Sequence, residues 1–284
     1  MCLLLKGINN MRLGISTSLG NMEPKKWAEK MESMGCKSVV FPVDYTADDA
    51  LINEYVREAA KHDLVIGEVG IWRNAISKDN DERKKNLAYS VGQLRLADRI
   101  GAKCCVNVAG AMGPRWDGAY KENYSTEAWK RTVSMIKEVI DAVNPKNTYF
   151  ALETMPCMFP SSPEEYLRLL HEVSRDRFAV HLDVINMINC PERFFFSEDF
   201  VEKCFDMLGD KIVSCHMKDT KLLDDYTFML RECAIGEGSF ALDKYCELIN
   251  KYNPDMPVII EHLSNDEEYE KSMKYALERF KHKI

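Results

Sequence analysis

The sequence of 284 residues lacks the features that mark several large classes of protein. No apolar run approaches the length of about 18 residues that a membrane span requires, so we predict no membrane association. Basic residues are not in excess, because 38 lysines and arginines stand against 45 aspartates and glutamates, and the formal net charge is −7. This balance argues against a nucleic-acid-binding protein and favours small or neutral partners.

Paired cysteines are missing as well. The ten cysteines are scattered and include no C-x-x-C pair, which indicates reduced thiols and predicts a cytoplasmic protein. The first seven residues carry no basic residue ahead of their apolar run, so they do not resemble a signal peptide. Met11 opens the first convincing strand, and we therefore interpret residues 1–10 as a dispensable amino-terminal extension and residues 11–284 as one domain.

Glycine-rich phosphate loops are also absent. No predicted strand is followed by the glycine fingerprint of a dinucleotide-binding or phosphate-cradling loop. Gly236 and Gly238 form only a lone pair of glycines late in the chain, which we interpret as a turn. The chain is 46% apolar and 29% charged, which is ordinary for a globular protein with one large core.

The sequence does contain a regular alternation of short apolar runs and longer amphipathic ones. Eight runs that are apolar on both faces predict strands covered by helices, at residues 12–16, 37–41, 64–69, 103–108, 148–153, 178–183, 212–217 and 258–261. Helical spacing of apolar residues predicts helices at residues 24–34, 48–61, 80–100, 126–143, 163–173, 197–208, 242–251 and 266–280. Eight strand–helix units of roughly 34 residues fit a closed barrel of about 250 residues better than a doubly wound sheet. The predicted fold class is therefore α/β, a single (β/α)8 barrel.

Polar residues end four consecutive predicted strands. Strands five to eight close with Glu153, Asp183, His216 and Glu261, which are called the quartet below. Successive members lie 30, 33 and 45 residues apart. The first two separations match one strand–helix unit each, and the third indicates an insertion after strand seven. Because active sites of such barrels lie at the carboxyl ends of the strands, we expect the four side chains to converge.

Three carboxylates and one imidazole suit a hard or borderline divalent cation, and we prefer Mn²⁺ among Mn²⁺, Mg²⁺, Co²⁺ and Zn²⁺. Any one of these carboxylates is ordinarily interpreted as a helix cap or a surface group. Four residues in register change that interpretation, because an unpaired carboxylate at the inner edge of a barrel is costly to desolvate. The sequence therefore predicts one metal ion bound by the quartet.

Two histidines near the quartet receive structural interpretations. His181 precedes Asp183 by two residues, so it points the same way one layer deeper, and we predict a hydrogen-bonded interior histidine. His262 adjoins Glu261 but alternates to the other face of the strand, so we predict that it packs against a helix.

The strand-end segments resemble one known family. Their sequences Ala151-Leu-Glu153, His-Leu-Asp183, His216-Met-Lys-Asp219 and Ile-Ile-Glu261-His are similar to segments of the xylose isomerase-like TIM barrels. This family includes sugar isomerases and epimerases, inosose dehydratase and the relatives of endonuclease IV, and the likeness spans nearly the whole of residues 11–280. The resemblance implies that the quartet binds a single metal ion and that Lys218 lies beside it.

Departures from two subfamilies narrow the function. Endonuclease IV-like enzymes bind three zinc ions with additional histidines, and this sequence has Glu68, Asn107 and Asn186 at those positions. The ketohexose 3-epimerases share the last of these histidines and also carry a glutamate and an arginine. At the positions of this histidine, glutamate and arginine, the present sequence has Asn186, Phe159 and Leu222, respectively. A trinuclear site and an ordinary 3-epimerase of free ketohexoses are therefore disfavoured.

The resemblance implies a reaction through an enediolate that the metal stabilises. In the epimerases of this kind, the first and last glutamates act as acid and base, which here are Glu153 and Glu261. Lys218 is a candidate to stabilise an oxyanion or a leaving hydroxyl, and its alternative interpretation is a surface lysine in a loop. Reprotonation gives an isomer or epimer, which is our first hypothesis. Loss of a leaving group gives a dehydratase or another lyase on a keto-polyol or keto-glycoside, and a catalytically silent binding barrel is the third hypothesis.

The expected substrate is a small sugar or polyol. Glu68, Asn107 and Asn186 are predicted to face the pocket and to bind its hydroxyl groups. Trp72 and Trp116 either form an apolar wall over the sugar or pack within their loops. No arginine cluster marks a phosphate site, so we favour an unphosphorylated substrate. The sequence does not decide whether the protein forms a homo-oligomer. Barrels of the family that it resembles often associate in pairs.

Overall fold

Eight parallel strands close into a barrel in the computed structural model, which describes residues 11–16 and 22–281. The strands of the barrel are β1 (Arg12–Ile15), β2 (Ser38–Val40), β3 (Val65–Gly70), β4 (Cys104–Asn107), β5 (Tyr149–Glu153), β6 (Phe178–Leu182), β7 (Ile212–Met217) and β10 (Pro257–Ile260). Each strand pairs with the next one along the chain, and β10 pairs with both β7 and β1. The predicted single (β/α)8 barrel is confirmed.

Helices follow the barrel strands and cover the outside of the sheet. They are α1 (Pro24–Ser33), α2 (Asp49–Lys61), α3 (Asn80–Ile100), α4 (Thr126–Val143), α5 (Pro163–Val173), α6 (Pro191–Phe195), α7 (Ser197–Leu208), α8 (Leu242–Tyr252) and α9 (Asp266–Arg279). Local signals in the sequence set their ends. The Ser162 hydroxyl accepts from the Glu165 backbone N–H ahead of a first-turn proline, and Gly101 ends α3 in the left-handed conformation.

The segment between β7 and α8 forms an antiparallel hairpin of β8 (Asp219–Leu222) and β9 (Leu230–Cys233). The Asp219 carboxylate stabilises the end of the hairpin at which β8 begins and β9 ends, because it accepts hydrogen bonds from backbone N–H groups on both sides. The donors are Thr220, Gly236, Gly238 and Phe240. Gly236 has a φ of 90°, so the predicted turn at the two glycines is confirmed. The insertion was expected from the spacing, whereas its strands were not.

Two buried tyrosines fasten helices to the strands that carry the quartet. The Tyr166 hydroxyl, on α5, donates to the backbone oxygen of Leu152 at 2.7 Å or of Ala179 at 2.8 Å. The Tyr245 hydroxyl, on α8, lies 3.0 Å from the backbone oxygen of His216. Buried hydroxyl groups that bond to strand carbonyls hold β5, β6 and β7 in fixed positions relative to the helices.

Several other expectations concern the chain as a whole. The nine cysteines of the described residues are free thiols, as predicted. Within the same residues, none of the helices combines the length and the apolar character needed to cross a bilayer. The predicted extension, residues 1–10, lies outside the described residues.

Candidate active site

The four side chains of the quartet meet at the carboxyl-terminal mouth of the barrel. Glu153 ends β5, Asp183 follows β6, His216 lies within β7, and Glu261 follows β10. His216 Nδ1 lies 2.8 Å from Glu261 Oε1, 3.2 Å from Glu153 Oε1 and 3.5 Å from Asp183 Oδ2. One ligand atom from each residue lies within 4.8 Å of those of the others. The structure thus brings the quartet together, and its role as a ligand set stays a prediction.

The quartet is almost completely removed from solvent. Its exposed fractions run from 1% for Asp183 to 8% for Glu261. Within the described residues, Asp183 Oδ2 and Glu261 Oε1 have no hydrogen-bond partner. Buried carboxylate oxygens are nearly always hydrogen-bonded or bound to a cation. Both oxygens therefore require a cationic neighbour, and a metal ion held by the quartet would fit that requirement.

Lys218 supplies a positive charge next to these oxygens. Its Nζ lies 2.7 Å from both Asp183 Oδ2 and Glu261 Oε1, at ion-pair distance but without the angles of a hydrogen bond. Only 3% of the residue is exposed. The alternative interpretation of Lys218 as a surface lysine is wrong, because the side chain turns into the mouth of the barrel.

Negative charge exceeds positive charge in the quartet. Burial and the Glu261 carboxylate raise the pKa of Glu153 to about 7. Burial opposes the ionisation of Asp183 too, yet Lys218 and His216 hold the pKa of Asp183 well below its usual range. His216 and Lys218 also outweigh burial at Glu261 and lower its pKa to about 2. The two cationic side chains thus stabilise the charged forms of Asp183 and Glu261, whereas at Glu153 their effect does not offset burial and the Glu261 carboxylate.

Asn186 lies in a short turn directly after β6 and contacts the quartet. Its Nδ2 donates to Glu153 Oε1 at 2.9 Å and to the Thr154 backbone oxygen at 3.0 Å. Its Oδ1 accepts from Lys218 Nζ at 3.2 Å. Asn186 therefore fixes the relative positions of Glu153 and Lys218, and its contact with a substrate stays a prediction.

The side chains of the other two predicted substrate contacts face groups of the protein itself. The Asn107 amide accepts from the Arg73 backbone N–H at 3.0 Å and donates to the Arg73 backbone oxygen at 3.1 Å, so it closes the loop after β3. Glu68 is fully buried, and it lies one layer beneath the quartet. The predicted contact of both side chains with a substrate stays a prediction. The sequence shows which residues end a strand, but it does not show which contacts the following loop makes.

A polar layer lies beneath the quartet inside the barrel. His181 is fully buried there, and its Nδ1 shares a hydrogen bond with Ser214 Oγ. The His181 ring meets the His216 ring edge-on, with centroids 4.1 Å apart. Ser214 Oγ in turn lies 3.2 Å from Cys104 Sγ. The prediction of a hydrogen-bonded interior histidine is confirmed.

Trp72 borders the quartet from the loop after β3. Its backbone has a φ of 48°, and its ring is tilted by 32° to that of His216 with centroids 6.4 Å apart. Trp116, in the loop after β4, is 38% exposed. Of the two tryptophans, Trp72 is thus the one that the structure brings against the quartet.

His262 and Glu232 contribute to the mouth, although the sequence assigned neither to it. His262 Nδ1 lies 2.9 Å from Glu232 Oε2 on β9 and 3.2 Å from Lys218 Nζ. The expectation that His262 packs against a helix is wrong, because its φ of 60° breaks the alternation of strand faces. Glu232 lies on the hairpin, and the spacing of the barrel strands does not predict its position near the quartet.

Comparisons with known proteins agree with this architecture. A model of the xylose isomerase-like TIM barrel family matches residues 28–280. Among curated proteins, the chain is similar to the probable L-ribulose-5-phosphate 3-epimerase UlaE of Mycoplasma pneumoniae, with 22% identity over 157 residues. That match covers 54% of this chain and 47% of the relative, so it spans about half of the relative's length.

Solved structures resemble the chain over nearly its whole length. A D-psicose 3-epimerase in the presence of D-fructose is 14% identical, with a TM-score of 0.72 and coverage of 96% of this chain and 99% of that one. The probable 3-DHS dehydratase AsbF of Bacillus anthracis is 16% identical, with a TM-score of 0.71 and coverage of 94% and 98%. At such identities the likeness shows the barrel fold alone.

Proposed function

The chain belongs to the xylose isomerase-like TIM barrel family, and from this premise we propose that it is a divalent-metal-dependent isomerase or epimerase of a sugar or polyol. The observation that carries the proposal is the quartet, in which three carboxylates and one imidazole offer ligand atoms within 4.8 Å of one another. The similarity to a probable sugar-phosphate epimerase supports the same class of reaction.

The donor set fits a hard or borderline cation. Carboxylate oxygens and one imidazole suit Mn²⁺, which we prefer, and also Mg²⁺, Co²⁺ and Zn²⁺. Two observations support this assignment: Asp183 Oδ2 and Glu261 Oε1 accept no hydrogen bond from the described residues, and three buried carboxylates converge on one imidazole. When bound, such an ion supplies Lewis-acid polarisation of a carbonyl group.

Glu153 and Glu261 are the proposed acid and base. They extend from strands on opposite sides of β6 and β7 in the order of the barrel, and both have an Oε1 within 3.2 Å of His216 Nδ1. Removal of the proton next to a carbonyl by one carboxylate, and its return by the other from the opposite face, inverts or relocates a stereocentre. The Asn186 amide holds Glu153 Oε1 at 2.9 Å, which orients that carboxylate for proton transfer.

Substrate binding is proposed at the surface left between these groups. Asn186 and the ring of Trp72 lie next to the quartet, and both are proposed to contact the substrate. Glu68 and Asn107 are the other two proposed contacts. Lys218 is the group that can stabilise an oxyanion, because its buried ammonium lies between two of the carboxylates.

Elimination is the second candidate reaction, and the position of Lys218 favours it. A buried ammonium beside the acid and base residues can give a proton to a leaving hydroxyl, which turns proton abstraction into loss of water. The structural likeness to a probable dehydratase is compatible with this outcome. The third hypothesis, a catalytically silent barrel, would leave three carboxylates buried together without a use for them, and such burial is costly.

Incubation with candidate sugars and keto-polyols in D₂O tests the proposal. Epimerisation or isomerisation places deuterium on the carbon next to the carbonyl without loss of water, whereas elimination produces an enone that absorbs in the ultraviolet. Chelation should abolish either activity, and Mn²⁺ should restore it. Turnover that survives complete metal removal would refute the metal-dependent mechanism.

A further inference from the structure

Carboxylates contact the His216 ring on both of its nitrogens. Nδ1 faces the three carboxylates of the quartet, with Glu261 Oε1 nearest at 2.8 Å. Nε2 points the other way, into the barrel, where Glu68 Oε2 lies 3.5 Å away. The ring thus lies between the three carboxylates of the quartet and a fourth carboxylate, Glu68, which belongs to β3.

The function proposed above gives Glu68 only a contact with the substrate, and full burial beneath the quartet works against that contact. Its side chain is fully buried, and within the described residues neither carboxylate oxygen has a hydrogen-bond partner. Each oxygen instead faces an imidazole, since Oε1 lies 3.5 Å from His181 Nδ1 and Oε2 faces His216. A buried carboxylate in such surroundings is costly to maintain, so a role that depends on the two rings would account for it.

We propose that Glu68 is a positioning residue for the metal ligand His216. In the metal-bound protein Glu68 would accept the Nε2–H of the ring, and this bond would leave Nδ1 unprotonated and aimed at the cation. Metal-binding histidines generally donate their second ring N–H to a carboxylate or carbonyl, which fixes the ring and raises its basicity as a ligand. The edge-on contact of His181 with His216 restricts ring rotation from the side. This inference rests on the proposed metal site.

A second cation held by Glu68, His181 and His216 is the alternative use of the same atoms. Their ligand atoms also lie within 4.8 Å of one another. A cation there would require His216 to ligate through Nε2 and Nδ1 at once, as an imidazolate that carries no ring proton. Glu68 would be its single carboxylate ligand. A hydrogen bond requires only a small approach of two groups that already face each other, so the positioning role is the simpler assignment.

Calorimetric titration of Mn²⁺ into the metal-free protein tests the proposal. Glu68→Leu removes the acceptor, and we expect the dissociation constant to rise about 10- to 100-fold, as for other residues that orient a metal ligand. Glu68→Gln keeps an acceptor oxygen and should recover most of that affinity. Glu58→Gln is the matched control, because Glu58 is also buried but contacts Arg57 and Lys61 on α2.

A spectroscopic readout separates positioning from a merely structural role. In the Zn²⁺-loaded protein, histidine ¹⁵N spectra should show His216 with its proton on Nε2. The Nε2–H resonance should shift in Glu68→Gln, because a neutral amide is a weaker acceptor than a carboxylate. This variant keeps the test valid if Glu68→Leu does not fold.

The outcomes distinguish this inference from the proposed function. A wild-type protein that binds no divalent ion would overturn both. One ion in the wild type, with unchanged affinity in Glu68→Leu and an unmoved His216 signal in Glu68→Gln, would overturn only the positioning role. Two ions in the wild type and one in Glu68→Leu would overturn it in favour of the second cation site.

Discussion

Lys218 is the residue whose replacement best separates metal binding from catalysis. Lys218→Met keeps the apolar stem and removes the ammonium from between Asp183 and Glu261. We expect turnover to fall about 100- to 1,000-fold, the usual effect of deleting a group that stabilises developing charge. Mn²⁺ affinity should not fall, because the two carboxylates lose a competing cation. Steady-state kinetics and calorimetry on the same samples measure both quantities.

The matched control for this prediction is Lys221→Met, which removes a lysine from β8 that lies outside the quartet. It should leave turnover and metal affinity close to those of the wild type. If Lys218→Met lost metal binding and activity together, the lysine would be a structural member of the site instead of a catalytic one.

Glu261 is both a proposed ligand and a proposed acid or base, so the isosteric change Glu261→Gln should be severe. We expect activity to fall by about 100- to 10,000-fold from the loss of proton transfer alone, with weaker metal binding in addition. Glu247→Gln changes an exposed glutamate on α8 and serves as the control. Near-normal turnover of Glu261→Gln on any substrate identified would rule out this assignment.

Single residues differ in how far the sequence could predict them. The position of Glu153 follows from the sequence, because it ends a buried strand and the carboxyl ends of parallel strands share one edge. The position of His262 does not, since a φ of 60° in a residue other than glycine reverses the alternation on which the prediction relied. The depth of Glu68 depends on packing against His216 and His181, and no spacing rule encodes that packing.

The hairpin of β8 and β9 is the element with the clearest structural dependence on one side chain. Asp219→Ala removes the acceptor of four backbone N–H groups. Because hydrogen bonds to a charged group contribute about 1.5–3 kcal/mol each and are not additive, we expect a loss of roughly 2–4 kcal/mol in the free energy of unfolding. Denaturant unfolding followed by circular dichroism measures this loss.

Limited proteolysis of the same variant locates the effect. Cleavage between β8 and β9 should accelerate in Asp219→Ala relative to Asp224→Ala, which changes an exposed aspartate near the tip of the hairpin. Activity should fall as well, because Glu232 reaches His262 and the Lys218 ammonium from β9. Equal cleavage rates in the two variants would show that Asp219 does not hold the hairpin.

Most elements of the barrel could be predicted because periodicity reports burial. All eight barrel strands occur within a residue or two of the predicted bounds, and α3, α4, α5 and α7 have the predicted limits. The hairpin could not be recognised, since its strands are only four residues long and partly exposed, so neither an apolar run nor a clear alternation marks them. The helix α6 has five residues, which is too short for a helical period.

Closure of the barrel brings the ends of four strands together in one site. β5, β6, β7 and β10 are neighbours in the closed order, and parallel pairing brings their carboxyl ends to the same rim. Three of the 45 acidic residues are thereby buried within one cluster, together with a lysine and a histidine. A molecule with this charge distribution should gain stability from any divalent cation that binds the folded state alone.

The last prediction therefore concerns the stability of the whole molecule when the metal is removed. A ligand present at 100 times its dissociation constant adds about 2.7 kcal/mol to the free energy of unfolding, which for a chain of this size raises Tm by about 5 to 10 °C. Scanning calorimetry with excess Mn²⁺ and then with a chelator should show that difference. Glu261→Gln is the control, because the broken quartet should make its Tm nearly insensitive to the chelator. An equal fall in both proteins would mean that the ion binds elsewhere, and no fall in the wild type would mean that the folded barrel does not bind it.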